Sequence, residues 1–332
     1  MATTTAVILA GAVAKGAFEA GVLDVLAPHV EALGITRVVG ASAGALNASV
    51  LAVGLRTRAE VQAARSMVDL WSDEATWHNV VDLNLRDIWT RTGFATAERV
   101  LGLMRRAVEG LHSKEPRKVA VSLVVTALAG KTQTLLGQPA TTFEGAVTFT
   151  DTELDTPGDR ERLLHTAVAS AAFPVLFAPV DVRGVGPSID GGAVNNAPVK
   201  LALDDPAVSR IVVVSPEPLL VKPPAPLAGL NLVGHIAEIL INERVYRDLR
   251  AAETVNGYLA ALDALRGEGI PPETIERVKA VFGWRPLELV QIRPAAALEG
   301  NAFEAFGDHR LRREYVEAGR NAAREKLGAL LG

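Results

Sequence analysis

A chain of 332 residues with 34 basic and 38 acidic side chains has a formal net charge of −4, and it contains no cysteine. Its length can bury a substantial core, its 49% hydrophobic content excludes intrinsic disorder, and the missing thiols exclude a disulfide scaffold, cysteine-ligated metals and a cysteine nucleophile. The slightly acidic balance argues against nucleic acid as a partner, and with 5% aromatics the apolar fraction is mainly Ala, Val and Leu, the composition of helices packed on a buried sheet.

Thr5–Ala10 is a short β-branched apolar run ending at Gly11, which predicts a buried strand. No Lys or Arg precedes Lys15, so the start lacks the basic region of a secretory signal. From Gly16, the residues Phe18, Val22, Val25 and Leu26 recur at helical spacing as far as Pro28. Residues 35–40 predict a second strand and 43–55 a second helix. The charge-free run Val38–Leu55 is 18 residues long, enough for a membrane span, but Gly40, Ser42, Gly44 and Asn47 within it suit a buried strand, a sharp turn and a helix better. A cytoplasmic chain without signal peptide or transmembrane segment is expected.

Residues 56–118 change character, with 11 basic and 9 acidic side chains and Trp71, Trp77 and Trp89. They predict a helical insertion in which Val100, Leu103, Met104, Ala107, Val108 and Leu111 share one face. Such an insertion is either a lid over the sheet edge or ordinary covering helices. Further on, 118–129 and 131–136 read as β-rich runs separated by Gly130, then 143–150 as a strand and 160–170 as a helix. Residues 210–215 and 287–292 complete the sheet, with a second helical segment at 219–284 between them and a last helix at 309–331. The strand–helix alternation predicts an α/β fold in which strand carboxyl ends and helix amino ends meet on one edge.

Two turns on that edge carry chemistry. Gly40-Ala41-Ser42-Ala43-Gly44 is a G-x-S-x-G pattern between a strand and a helix, the setting of a nucleophile elbow: flanking glycines let the backbone turn tightly and Ser42 projects over the sheet. Small residues packing a helix on a strand would give the same letters. A serine nucleophile needs a base. His78, His112, His165, His235 and His309 follow Ser42, but none stands in a glycine-rich loop after a strand. Asp190, before Gly191 and Gly192, suits the role better, since a carboxylate can take the serine proton directly; an Asp-Gly hairpin turn is the alternative.

With the loop Gly11-Ala12-Val13-Ala14-Lys15-Gly16, the GASAG turn, ASAAFPVLFAPV at 169–180 and DGGAVNNAPV at 190–199, residues 7–199 resemble the patatin-like phospholipases. The resemblance implies a single α/β domain over 1–332, a three-layer α/β/α sandwich with a mainly parallel central sheet and helical insertions at 56–118 and 219–284. It further implies a Ser42–Asp190 dyad that hydrolyses lipid acyl esters, as a phospholipase A or lysophospholipase, through an acyl-enzyme. No metal and no cofactor is implied. The partners would be a lipid or acyl-ester substrate and, transiently, a membrane or micelle surface. In that family a glycine-rich loop supplies backbone N–H groups to the oxyanion; here Gly11 matches, Ala12 and Val13 replace glycines, and Lys15 and Gly16 match again. A β-branched residue resists positive φ, so a slow or inactive acyl-binding protein is the alternative, as is a transacylase or thioesterase using the same dyad. Lys15 is expected to be solvated at its loop, ahead of a role with an anionic headgroup.

Overall fold

The computed structural model describes residues 3–81, 97–113, 115–174, 176–218 and 229–332. A central 8-stranded sheet has the order β5-β6-β3-β2-β1-β7-β8, with β4 paired to β3. Strands β1 (Thr5–Leu9), β2 (Ile35–Ala41), β3 (Ala120–Leu135), β7 (Arg210–Val214) and β8 (Glu288–Ile292) run parallel. β4 (Gln138–Thr150), β5 (Val180–Val182) and β6 (Gly186–Ile189) add antiparallel pairings on the β3 side.

β1 lies between β2 and β7 and is buried along its whole length. Its alternate side chains serve two cores, as a strand covered on both faces must. Val7 and Leu9, with Val38, pack under α1 (Gly16–Leu26), α2 (Ala43–Arg56), α6 (Pro157–Ser170) and α10 (His309–Leu331). Ala6 and Ile8, with Val39 and Val213, face α7 (Val199–Leu203) and Leu249 of α8 (Gly229–Ala264). The result is the expected α/β/α sandwich.

Between α2 and β3 come α3 (Glu60–Asp69), a π turn at Leu70–Glu74, α4 (Trp77–Val80) and α5 (Glu98–Val108). The apolar face expected for α5 is buried: Met104 is 2% exposed and Leu103 5%. Part of the expected insertion, residues 82–96 with Trp89, lies outside the described residues, as do 219–228 of the second helical segment, which otherwise forms α8 and α9 (Pro272–Phe282).

The sheet departs from expectation in three places, the first being β4, which begins at Gln138 where a strand over 143–150 is expected. The runs on either side of Gly130 are one strand, with a register irregularity between Thr126 and Lys131 where Gly130 takes a φ of 67°. β5 and β6 lie outside the sequence expectation, because a three-residue strand and the segment Gly-Pro-Ser-Ile carry too little hydrophobic alternation to register.

Candidate active site

The carboxyl ends of β1 and β2 feed two tight turns placed side by side. After β2, Ser42 takes φ 53° and ψ −129° before α2 begins at Ala43. This left-handed conformation is costly for a non-glycine residue, and its surroundings hold it in place. A Cβ on Gly40 would lie 2.5 Å from the Gly44 carbonyl oxygen, and one on Gly44 would lie 2.2 Å from that of Leu9, so both positions exclude a side chain. The Ser42 N–H donates to Ser170 Oγ at 2.9 Å, and that hydroxyl donates to the Val124 carbonyl at 2.5 Å. Ser170, at the end of α6, thus supplies the hydrogen bond that the sharp turn denies to regular structure.

Ser42 Oγ donates to Asp190 Oδ2 at 2.7 Å, across a sequence separation of 148 residues. Asp190 caps a 3-10 turn at Gly191–Ala193, with its Oδ1 accepting from the Gly192 N–H at 2.7 Å. Its backbone is held on both sides: its N–H donates to the Ala172 carbonyl at 2.9 Å and its carbonyl accepts from Thr126 Oγ1 at 2.7 Å. The two residues are 5% and 4% exposed. Burial pushes the Asp190 carboxyl up from 3.8 to about 6, against the opposing pull of the Ser42 and Gly192 hydrogen bonds.

The loop after β1 lies beside this pair. Gly11 is clamped by Asn196, whose carbonyl accepts from the Gly11 N–H at 3.2 Å and whose Nδ2 donates to the Gly11 carbonyl at 3.0 Å. Val13 stands at φ 51° and lines the cavity in front of Ser42. The loop therefore adopts the conformation a glycine would take, with a β-branched residue in it, at a cost of about 1–2 kcal/mol. Among the described residues the Ala12 and Val13 N–H groups donate to no backbone carbonyl outside regular structure.

Lys15 is not solvated. It is 4% exposed and its Nζ lies 2.9 Å from Glu217 Oε1 in a buried ion pair. Glu217 follows β7, 202 residues away in sequence, so nothing local to the loop pointed to it. Gly16 is pressed by Trp71, whose ring carbon would meet a Cβ there at 2.6 Å.

The cavity encloses about 60 Å³, and Ser42 and Asp190 are its acid–base side chains; the remaining lining is apolar or aromatic. Leu103, Met104 and Trp71 come from the segment between α2 and β3, and among the described residues no histidine lines the cavity. Trp71 is fixed by a 2.7 Å hydrogen bond from its Nε1–H to Asn47 Oδ1. Asn47 Nδ2 in turn donates to Glu19 Oε2 at 2.9 Å and to the Gly16 carbonyl at 3.0 Å. Complete burial holds the Glu19 carboxyl well above the ordinary carboxylate range. Elsewhere in the lining Trp77 stacks on Phe303 at 6.4 Å and meets Phe306 at 5.1 Å, while Phe173 meets Phe303 edge-on at 5.5 Å.

A parallel α/β sheet presenting a strained serine hydroxyl to a buried carboxylate, beside a backbone loop and an apolar cavity, is a frame for nucleophilic acyl chemistry. A family model for patatin-like phospholipase matches residues 7–203, more than half of the chain, and the chain belongs to that family. Membership supports lipid hydrolase activity. Comparison with curated sequences gives no match. Among solved structures, VipD from Legionella pneumophila aligns at 14% identity and TM-score 0.49, over 99% of this chain and 67% of that one. The type III effector ExoU aligns at 13% identity and TM-score 0.35, over 99% of this chain and 54% of that one. The ExoU–SpcU complex from Pseudomonas aeruginosa aligns at 18% identity and TM-score 0.30, over 75% of this chain and 52% of the matched one. The chain thus spans about half the length of the ExoU chain and of the matched chain in the ExoU–SpcU complex, and with these scores below 0.5 the assignment rests on the family match.

Proposed function

We propose that the chain is a lipid acyl hydrolase of the phospholipase A or lysophospholipase type, with Ser42 as nucleophile and Asp190 as general base. The observation that carries this reading is the 2.7 Å hydrogen bond from Ser42 Oγ to Asp190 Oδ2 at an apolar cavity. In the first half-reaction Asp190 accepts the Ser42 proton as Oγ bonds to the ester carbonyl carbon. The tetrahedral oxyanion is met by the Ala12 and Val13 N–H groups, since that of Gly11, also expected to contribute, is taken by the Asn196 carbonyl. Collapse breaks the bond to the alkoxide, which takes the proton back from Asp190 and leaves, with the acyl group on Ser42. In the second half Asp190 deprotonates water, which attacks the acyl carbon, and Ser42 departs with that proton. A carboxyl near 6 is mostly ionised at neutral pH yet far more basic than a solvated aspartate, which suits both steps.

In this reading the apolar cavity receives the acyl chain, the described part of the segment 56–118 acts as a cap that walls it, and the whole chain is one domain meeting a membrane or micelle peripherally. The test is fatty-acid release from phospholipids, lysophospholipids, glycerides and short p-nitrophenyl esters, with Ser42→Ala and Asp190→Asn as controls. Release by the wild type that both substitutions abolish supports the dyad; full turnover by Asp190→Asn would remove it. A second reading, an acyl-binding protein with weak turnover, is favoured by Val13 at φ 51°. Efficient labelling of Ser42 by a fluorophosphonate without ester turnover would select it.

A further inference from the structure

β3 and β4 run far past the sheet they belong to. Val124 is opposite Ala41, the last residue of β2, yet β3 continues to Leu135 and returns as β4 from Gln138. Its root is fastened to the site: Thr126 Oγ1 donates to the Asp190 carbonyl at 2.7 Å, and Asn195 Nδ2 donates to Glu144 Oε1 at 3.1 Å. Beyond the irregularity at Gly130 the ribbon has lost its packing partners, and every residue from Thr132 to Pro139 is exposed. A two-stranded ribbon in water is marginal by itself, so the residues placed on this one carry information.

The turn is the first oddity. Leu136 and Gly137 have φ 51° and 77°, the paired positive values of a type I′ hairpin, whose first position favours Asn, Asp or Gly. Here it is leucine, 96% exposed, next to Leu135 at 64%. Two large apolar side chains thus occupy the outermost point of the arm, one of them in a backbone conformation that leucine resists. Leu128 and Phe143, at 45% and 49%, lie exposed nearer the root.

Charge is the second. The chain as a whole is acidic at −4, yet residues 127–143 contain no Asp or Glu and one cation, Lys131; the rest of the outer ribbon is mostly Thr, Gln, Ala and Pro. An uncharged polar stem with a leucine tip and a single lysine is complementary to a lipid surface whose headgroups are anionic and whose interior is apolar. A protein partner or a second copy would leave the absence of acidic residues without a purpose.

We propose that the β3–β4 arm is an interfacial anchor: Leu135 and Leu136 enter the acyl region of an anionic lipid surface, Lys131 meets the headgroups, and the root holds the Asp190 edge of the site against that surface. The inference rests on the lipid-hydrolase reading only for its purpose. Binding itself is independent of turnover.

The experiment is flotation of the full chain with vesicles of phosphatidylcholine, with and without phosphatidylglycerol, alongside hydrolysis of soluble p-nitrophenyl butyrate and light scattering of the free protein. The variant Leu135→Ser/Leu136→Asn puts a favoured residue at the turn, so the hairpin keeps its register. It is expected to lose about tenfold or more of vesicle binding while retaining butyrate hydrolysis within about twofold. Lys131→Glu should weaken binding to the phosphatidylglycerol vesicles selectively. Equal flotation of the double variant and the wild type, or no flotation of either, overturns the proposal. So does a change in oligomeric state with vesicle binding unchanged, which would assign the arm to a second copy. Flotation through the arm with no ester turnover by the wild type would refute the hydrolase reading and leave the anchor standing; turnover of butyrate without flotation would do the reverse.

Discussion

Replacing Asp190 by asparagine is expected to stabilise the fold and abolish turnover, with the gain in stability appearing only above mildly acidic pH. In the folded chain the carboxyl is raised from 3.8 to about 6 by burial. Below its unfolded value the group is neutral in both states. As pH rises from about 4 to about 6 the unfolded chain releases its proton while the folded chain retains it, so stability falls, and above about 6 the loss is complete. A rise from 3.8 to about 6 corresponds to about 3 kcal/mol. Asparagine never ionises, can accept from the Gly192 N–H and donate to Ser42 Oγ, and so escapes that loss. Urea unfolding of both proteins should therefore give similar stabilities near about pH 4 and a variant more stable by about 3 kcal/mol near about pH 8. Over the same range the wild-type kcat/KM should rise through an apparent pKa of about 6. A stability difference independent of pH, or a wild type more stable at the alkaline end, would refute the assignment of an unfavourably buried carboxylate at this position.

Two further outcomes follow from the loop and the cavity. Val13→Gly relieves a left-handed β-branched residue, worth about 1–2 kcal/mol, against a comparable loss from a more flexible unfolded chain and lost packing, so its urea midpoint should stay close to the wild type; its kcat on short esters should rise, and a fall in kcat would show that the valine does not obstruct the loop. Trp71→Phe replaces the indole with a smaller aromatic ring and withdraws the donor from Asn47 Oδ1, a residue 1% exposed, and should cost about 1–3 kcal/mol in urea unfolding while shifting p-nitrophenyl ester preference toward longer acyl chains; an unchanged chain-length profile would remove Trp71 from the cavity wall.

The two tight turns were legible because each is written locally: Gly40 and Gly44 flank Ser42, and Gly191 and Gly192 follow Asp190, so the residues that permit the backbone geometry stand next to those that use it. The strands and helices around them, from β1 to α2 and again at α10, follow from hydrophobic periodicity and differ from expectation by a residue or so at their ends. What could not be read is long-range. Lys15 finds Glu217, and Ser42 leans on Ser170, because of sheet order, which no local pattern encodes. Asn196 and Ser170 lay inside recognised blocks without their roles being visible, since an asparagine that clamps a loop and one that caps a turn look alike in sequence. Phe303 and Phe306 sit in the short stretch between β8 and α10; only the return of the chain beside Trp77 makes them part of the wall.

The Asn196 clamp also determines which positions of the first loop evolution or an engineer can vary. A Cβ at position 11 would fall 2.0 Å from Asn196 Oδ1 and 2.7 Å from the Ser42 Cβ, so a side chain there would displace the serine and, through Asn196, the segment that carries its base. No such obstruction is built into positions 12 and 13, where alanine and valine are accommodated. The loop is thus tolerant at its second and third residues and intolerant at its first. A glycine-rich loop transplanted from another member of the family should work here only as part of a two-piece cassette that keeps asparagine at 196, because the loop and the turn bearing the carboxylate form one mechanical unit.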